Sequence, residues 1–97
     1  MDSVGYAIRT TDGVVGTSGT PKEIYGFTFL SGGGGVGTVA VHDGTGTSGP
    51  LVFTLTGTAS QATTIPICEL GVRFINGCYL NIDANITSVT TMYKEVR

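Results

Sequence analysis

Short runs of alternating apolar and polar residues recur along most of this chain. The clearest example has Val39 and Val41 before the loop DGTGTSG, and Leu51, Phe53 and Leu55 after it. Because a pleated strand sends successive side chains to opposite faces, this spacing predicts two half-buried strands. The loop between them consists of residues that tolerate tight or positive-φ backbone. The pattern therefore predicts a β-hairpin.

The rest of the chain follows the same alternation, and no segment shows a sustained 3.6-residue period. Further strands are predicted at about residues 3–10, 23–31, 61–70, 72–74, 78–82 and 86–96, with Val14-Val15 as a candidate for one more short strand. Asn76-Gly77 predicts a primed-type turn, and Pro66, which lacks a ladder donor, indicates an edge strand or a bulge. The pattern is typical of a single-domain, all-β antiparallel sandwich, jelly-roll-like, with seven or eight strands and essentially no helix. We divide it into an N-terminal arm or first strand with a turn-rich connection (1–20) and a sandwich domain (21–97).

The alternation also predicts which side chains form the core. In segment 23–31, Tyr25, Phe27 and Phe29 are expected on one face, opposite Ile24 and Gly26. Both faces of this segment are fairly apolar, so we expect a central strand or one that faces a partner. The residues expected to be mostly buried are Phe27, Phe29, Val39, Val41, Leu51, Phe53, Leu55, Phe74, Leu80 and Ile82.

Charge is sparse in this sequence. Only 12% of the residues are charged and the net charge is −2, about half the usual charged fraction. Charges of both signs keep the surfaces of monomers apart, so the composition favours a surface that contacts other protein. The few basic residues are scattered, which argues against nucleic acid as a partner. We expect no membrane span and no secretory signal, because no long apolar run and no basic region before an apolar stretch are present.

No group of residues in the sequence predicts catalysis, a metal or another cofactor. His42 is the only histidine and is expected to be solvated at a strand end. Cys68 and Cys78 are interpreted as small buried thiols rather than a disulfide or metal ligands. Asp12, Asp43 and Asp83 lie in turn-rich segments, where a carboxylate usually accepts a bond from its own backbone two residues on. The four glycines at 32–35 precede a strand and no lysine follows them, so a phosphate-binding loop is not expected.

Three segments of the chain resemble small β-sandwich structural proteins of tailed bacteriophages. The resemblance lies in TVAVHDGTGTSGPLVFTLTG, with its D-G-T-x-x-S-G hairpin, in GVRFINGCYLNI, and in a closing VTTMYK. It extends from about Ile24 to Tyr93 and rests on turn and core motifs. The resemblance implies a virion component assembled in the host bacterial cytoplasm, with a capsid decoration (cement) protein as the first interpretation. The implied partners are the major capsid protein and further copies of the chain, as a homotrimer.

The alternative is a binding module of a phage tail or fibre that recognises a glycan of the host surface. Under either interpretation the protein is not an enzyme. An N-terminal strand with a flexible connection can add to the edge of another sheet, and strand tyrosines often lie at interfaces. The candidate interface residues are Val4, Tyr6, Ile8, Tyr25, Tyr79 and Tyr93.

Overall fold

Two antiparallel sheets pack face to face into a β-sandwich. The structure is a computed structural model and describes residues 4–67 and 71–96, which form nine strands and no helix. This confirms the all-β sandwich, with at least one strand more than expected. The strands are β1 (Gly5–Arg9), β2 (Gly13–Val14), β3 (Lys22–Ser31), β4 (Gly37–Asp43), β5 (Leu51–Gly57), β6 (Ala62–Pro66), β7 (Val72–Phe74), β8 (Cys78–Ile82) and β9 (Ile86–Glu95).

The larger sheet has five strands built around β3 and β9, each ten residues long. β9 lies between β1 and β3, while β6 and β7 pair with successive parts of the other side of β3. The strand that contains Pro66 is at an edge, as the proline predicts. β3 is central, as its two apolar faces suggested.

The smaller sheet has the strand order β2-β8-β4-β5. β4 and β5 form the predicted hairpin, with Val39 opposite Leu55 and Val41 opposite Phe53. The Gly-rich segment 32–35 leads directly into β4, so it connects two strands and does not open a helix.

A β-bulge in β3 corrects the predicted faces of this strand. The register with β9 shifts between Ile24 and Gly26, so that Tyr25 is an extra residue in the ladder. An extra residue reverses the alternation beyond it. Ile24 therefore points inward together with Phe27 and is fully buried, while Tyr25 is half-buried. The prediction that Tyr25 shares the face of Phe27 was wrong for this reason.

Leu51 is the second correction, because it is 58% exposed rather than buried. The pairing of β4 with β5 shifts in register between Val41 and His42, so Leu51 lies opposite His42 on the outer face. Phe53, beyond the bulge, keeps the predicted direction. Its ring contacts Phe27 and Phe74, with centroid distances of 6.4 and 6.2 Å.

The segment around Asn76-Gly77 is not a hairpin. β7 pairs with β3 in the larger sheet, and β8 pairs with β4 and β2 in the smaller one. Only Gly77 of the two turn residues has a positive φ, at 118°, whereas a type I′ turn needs two. The chain therefore crosses here from one sheet to the other.

The core fills the space between the two sheets. Phe53 and Ile82 are partly buried against it, and the remaining predicted core residues except Leu51 are inside it. Sequence alternation had not assigned five of its members to the core. The buried hydrophobic residues are Val15, Ile24, Phe27, Phe29, Val39, Val41, Leu55, Phe74, Cys78, Leu80, Ile86 and Val89.

Candidate functional site: the outer sheet faces

The charged side chains are confined to the ends of the strands and to loops. Each one that the structure describes lies in a loop or within two residues of a strand end. The central parts of both sheets are consequently free of charge on their outer faces. The charged residues in the described ranges are Arg9, Asp12, Lys22, Glu23, Asp43, Arg73, Asp83, Lys94 and Glu95.

Lys22 is the one fully buried charge among them, at 0% exposure. Its Nζ lies 2.7 Å from Glu95 Oε1 and donates to the carbonyl oxygens of Thr17 and Thr20 and to the Thr20 hydroxyl. Burial by itself would raise the pKa of the Glu95 carboxyl, but Lys22 and the bonds from Thr17 and Thr20 lower it to about 2. This cluster fastens residues 17–20 to the ends of β3 and β9, so its role is structural.

Glu23 and Lys94 form a second ion pair, on the outer face of the same two strands. Their side chains are 3.2 Å apart, and the Tyr25 hydroxyl donates to Glu23 at 3.2 Å. Hydrogen bonds from Lys94 and Tyr25 lower the pKa of the Glu23 carboxyl, and the bond to Glu23 raises the pKa of Lys94. This pair marks the charged end of the outer face.

His42 lies on the outer face of the smaller sheet. Its Nδ1 lies 3.0 Å from the Gly49 carbonyl oxygen, which can only accept, so Nδ1 carries the proton. Its ring meets the Tyr79 ring edge-on at 6.4 Å. The neighbouring Asp43 instead accepts the backbone N–H groups of Ile75 and Asn76, at 3.2 and 2.8 Å. No hydrogen bond of the described residues links His42 to an acid or to a nucleophile.

Asp12 and Asp83 line a shallow cleft of about 440 Å³ at one end of the sandwich. Asp83 accepts the N–H of Asn85, two residues on, as its turn context predicts. Asp12 differs, because its carboxylate accepts the N–H of Ile82 at 2.6 Å and joins two distant segments. Across residues 4–67 and 71–96, no three potential ligands come together for a metal ion.

Cys78 is a free thiol in the core. Burial raises its pKa to about 12, which keeps it protonated and unreactive at neutral pH. This agrees with its interpretation as a small apolar side chain. Cys68 lies outside the described residues.

The outer face of the larger sheet is an extended surface without charged side chains. The register places Phe27 opposite Thr91 and Ala7 opposite Thr91, all turned inward, so the residues next to them in each strand point outward. We call this surface the uncharged face. Its members, from four adjacent strands, are Tyr6, Ile8, Gly26, Thr28, Leu30, Ala62, Thr64, Pro66, Ser88, Thr90 and Met92.

The uncharged face contains one contact between threonine hydroxyls and several exposed apolar side chains. The Thr28 and Thr64 hydroxyls are 3.1 Å apart across the ladder. Tyr6 and Ile8 are 70% and 60% exposed, and Leu30 is also exposed. Threonine hydroxyls and methyls next to exposed aromatic and aliphatic groups can be covered by protein without burying a charge.

The outer face of the smaller sheet carries aromatic side chains where the larger sheet carries threonines. There, His42 lies opposite both Tyr79 and Leu51, and Ala40 lies opposite Asn81 and Thr54. This surface combines two aromatic rings with an amide and hydroxyls.

The six predicted interface residues do not form one patch. Val4, Tyr6 and Ile8 are exposed at or beside the edge of the larger sheet. Tyr25 is half-buried at the charged end of that sheet, and Tyr79 lies on the other sheet. Tyr93 points inward and packs against the core. The threonines of the uncharged face were missed, and their alternation in the predicted strands was the signal for them.

The comparisons with known proteins give no relative. No family model matches the chain, no curated protein matches it, and no solved structure matches its fold. The likeness to phage structural proteins stays a prediction from the motifs. The described part of the chain also contains no helix long and apolar enough to cross a membrane.

Proposed function

We propose that this protein is a non-enzymatic structural component of a tailed bacteriophage particle, where it binds the outer capsid as a decoration protein. Its partner is the major capsid protein, and its location is the virion. The observation that carries the proposal is the uncharged face, four strands wide. The motif resemblance supplies the kind of particle.

Energetic reasoning connects this face to protein binding. A sheet face that stays in water normally gains solubility from lysine and glutamate at its outward positions. Here charged side chains stand only at strand ends, as with Glu23 and Lys94. Covering threonine, proline and methionine costs little desolvation compared with covering unpaired charges. The face is therefore suited to lie against another protein surface.

Electron microscopy of native particles labelled with an antibody against the protein tests the location. Many copies distributed over the shell support the proposal. A few copies at the tail, or none on the particle, contradict it.

Two matched variants test the face itself. Thr64 and Thr54 are exposed threonines on edge strands of the larger and the smaller sheet. Thr64→Glu places a charge on the uncharged face and should lower binding to capsids at least tenfold in co-sedimentation. Thr54→Glu adds the same charge to the other sheet and should leave binding unchanged. Equal behaviour of the two variants would show that the uncharged face is not the attachment surface.

One observation favours the alternative function, a tail or fibre module that binds a host glycan. Tyr79 and His42 place two rings beside Asn81 on the smaller sheet, and ring faces with nearby amides suit sugars. In that case Tyr79→Ala abolishes binding to glycans extracted from the host surface. The matched change Tyr25→Ala, at another half-buried strand tyrosine, leaves it intact. Binding that neither variant alters argues against this alternative.

A further inference from the structure

Strand β1 is an edge strand with regular geometry. It pairs with β9 over five residues, from Gly5 opposite Tyr93 to Arg9 opposite Val89, without a register shift. Within the described residues no strand pairs with its other side. An edge strand leaves a row of unpaired backbone N–H and C=O groups there. β1 is therefore a template to which another strand can add.

The remaining sheet edges carry features that discourage such addition. β6 contains Pro66, which has no N–H to donate. β5 contains the bulge that displaces Leu51. β2 and β7 are only two and three residues long. Proline, bulges and short length are the usual protections of a sheet edge, and β1 has none of them.

The one charge of β1 is held away from its free edge. The Arg9 guanidinium donates to the carbonyl oxygens of Thr11 and Asp12, both at 3.0 Å, and to that of Val14 at 3.4 Å. These bonds keep it over the loop that connects β1 to β2. A lysine or arginine that extends along an edge would repel an added strand, and Arg9 is not placed to do so.

We propose that a second copy of this chain occupies the β1 edge, its own β1 pairing antiparallel across a two-fold axis at Ala7. A two-fold contact brings the same surface of both copies together. In this register Tyr6 of each copy lies opposite Ile8 of the other. Aromatic and β-branched residues are favourable cross-strand neighbours. The occupant is thus defined by the self-complementary order of residues in the strand.

The charges of the two copies are also compatible in this register. Arg9 lies opposite Gly5 of the second copy, so no like charges oppose each other. The position beside Gly5 is also uncrowded, since a Cβ built on Gly5 meets no atom within 4 Å. The pairing joins two five-stranded sheets into one continuous sheet, with their uncharged faces side by side. It is independent of capsid attachment and can be tested on the isolated protein.

The contact should be weak, because five paired residues cover less than the roughly 800 Å² per partner of a standard interface. We expect a reversible dimer of about 20 kDa, twice the 10.0 kDa of the chain, in sedimentation velocity at high micromolar concentration. The trimer expected from the sequence would have a mass near 30 kDa. An assembly of three copies, or a chain that remains monomeric at about 1 mM, would overturn the proposal.

A matched pair of lysine variants locates the contact. Ile8→Lys places a lysine opposite Tyr6 of the other copy, at both symmetry-related positions of the contact. It should raise the dimer Kd at least about tenfold. Ile75→Lys is the control, because Ile75 is equally exposed, at 65%, and lies between β7 and β8. Its dimer Kd should stay at the wild-type value. A dimer insensitive to Ile8→Lys, or lost in Ile75→Lys, contradicts the β1 contact.

A second pair tests the register at the two exposed positions that it sets opposite each other. In the Ala7-centred register, Tyr6→Lys/Ile8→Glu places each lysine opposite a glutamate of the second copy, whereas Tyr6→Lys/Ile8→Lys places lysine opposite lysine. The dimer Kd of the first variant should be at least about tenfold lower than that of the second. Circular dichroism confirms folding of each variant. Identical dimer Kd values for the two variants would overturn the Ala7-centred register.

Discussion

The inner and outer sides of β3 and β9 carry neighbouring ion pairs with the charges exchanged between the strands. On the inner side, Lys22 of β3 faces Glu95 of β9, and Lys22 is fully buried. One position further, on the outer side, Glu23 faces Lys94, with both side chains close to 30% exposed. Lysine therefore meets water in the outer pair and threonine oxygens in the inner one.

This difference shows that the face of the strand determines how much a charged side chain contributes to stability. The outer pair is hydrated and screened by salt, so it contributes little. In the inner pair Lys22 has lost its water, whereas the Glu95 side chain is 34% exposed, so removal of Glu95 would leave the buried ammonium without compensation. Towards the middle of the strands the inner side becomes apolar, with Phe27, while the outer side, with Thr28, stays polar but uncharged. That second contrast is the basis of the proposed binding surface.

The largest effect should come from the apolar part of the inner side. Phe27 is fully buried and its ring contacts Phe53. Phe27→Ala should lower the free energy of unfolding by about 3–5 kcal/mol, because it leaves a cavity in a packed core. Thr28→Ala, one residue along on the outer side, should lower it by no more than about 1 kcal/mol. Urea denaturation measures both, and a loss below about 1 kcal/mol for Phe27→Ala would refute the assigned face.

The next largest effect is expected when the lysine of the inner ion pair, rather than that of the outer one, is removed. Lys22→Met removes the ammonium that Glu95, Thr17 and Thr20 surround and leaves the threonine acceptors without this donor, so it should lower the free energy of unfolding by about 1–3 kcal/mol. Lys94→Met makes the same change in the exposed pair and should leave stability unchanged within error. Equal losses in the two variants would contradict the contrast between the faces.

Acid should destabilise the protein through protonation of Glu95 in the inner ion pair. The pKa of Glu95 is about 2 in the folded protein, below its ordinary value of 4.5. A lowered folded-state pKa stabilises the protein above the ordinary value, and this stabilisation is lost as the pH falls from about 4.5 towards 2. Denaturation at a series of pH values should show a decline in this window that Glu95→Gln flattens. Glu23→Gln should retain most of it, and the reverse result would assign the decline to the outer pair.

The smallest effect should be a gain. The Thr91 hydroxyl is buried on the inner side of β9 and has no hydrogen-bond partner among the described residues. Thr91→Val removes an unpaired polar group and should raise the free energy of unfolding by about 1 kcal/mol. Thr90→Val, on the outer side, should be nearly neutral. A loss of stability in Thr91→Val would mean that the hydroxyl has a partner.

Alternation was sufficient to place the strands, because the direction of side chains along one strand is a local property of the backbone. The hairpin of β4 and β5 followed from Val39, Val41 and the loop DGTGTSG. The bulges that leave Tyr25 and Val52 without a partner residue were not predictable in this way. A bulge is an extra residue relative to a partner strand, and the sequence of one strand does not show how its partner is aligned.

The candidate binding surface was likewise predicted only in part from the sequence. A low charged fraction predicted contact with other protein, and alternation put Tyr6, Thr28, Thr64 and Thr90 on strands. Only the order β1-β9-β3-β6 brings these four residues onto one face. In that order β9 pairs with β1 and with β3, which lie far from it along the chain. Pairing between strands far apart in the chain is set by how both sheets fill a common core, and local sequence patterns do not predict it.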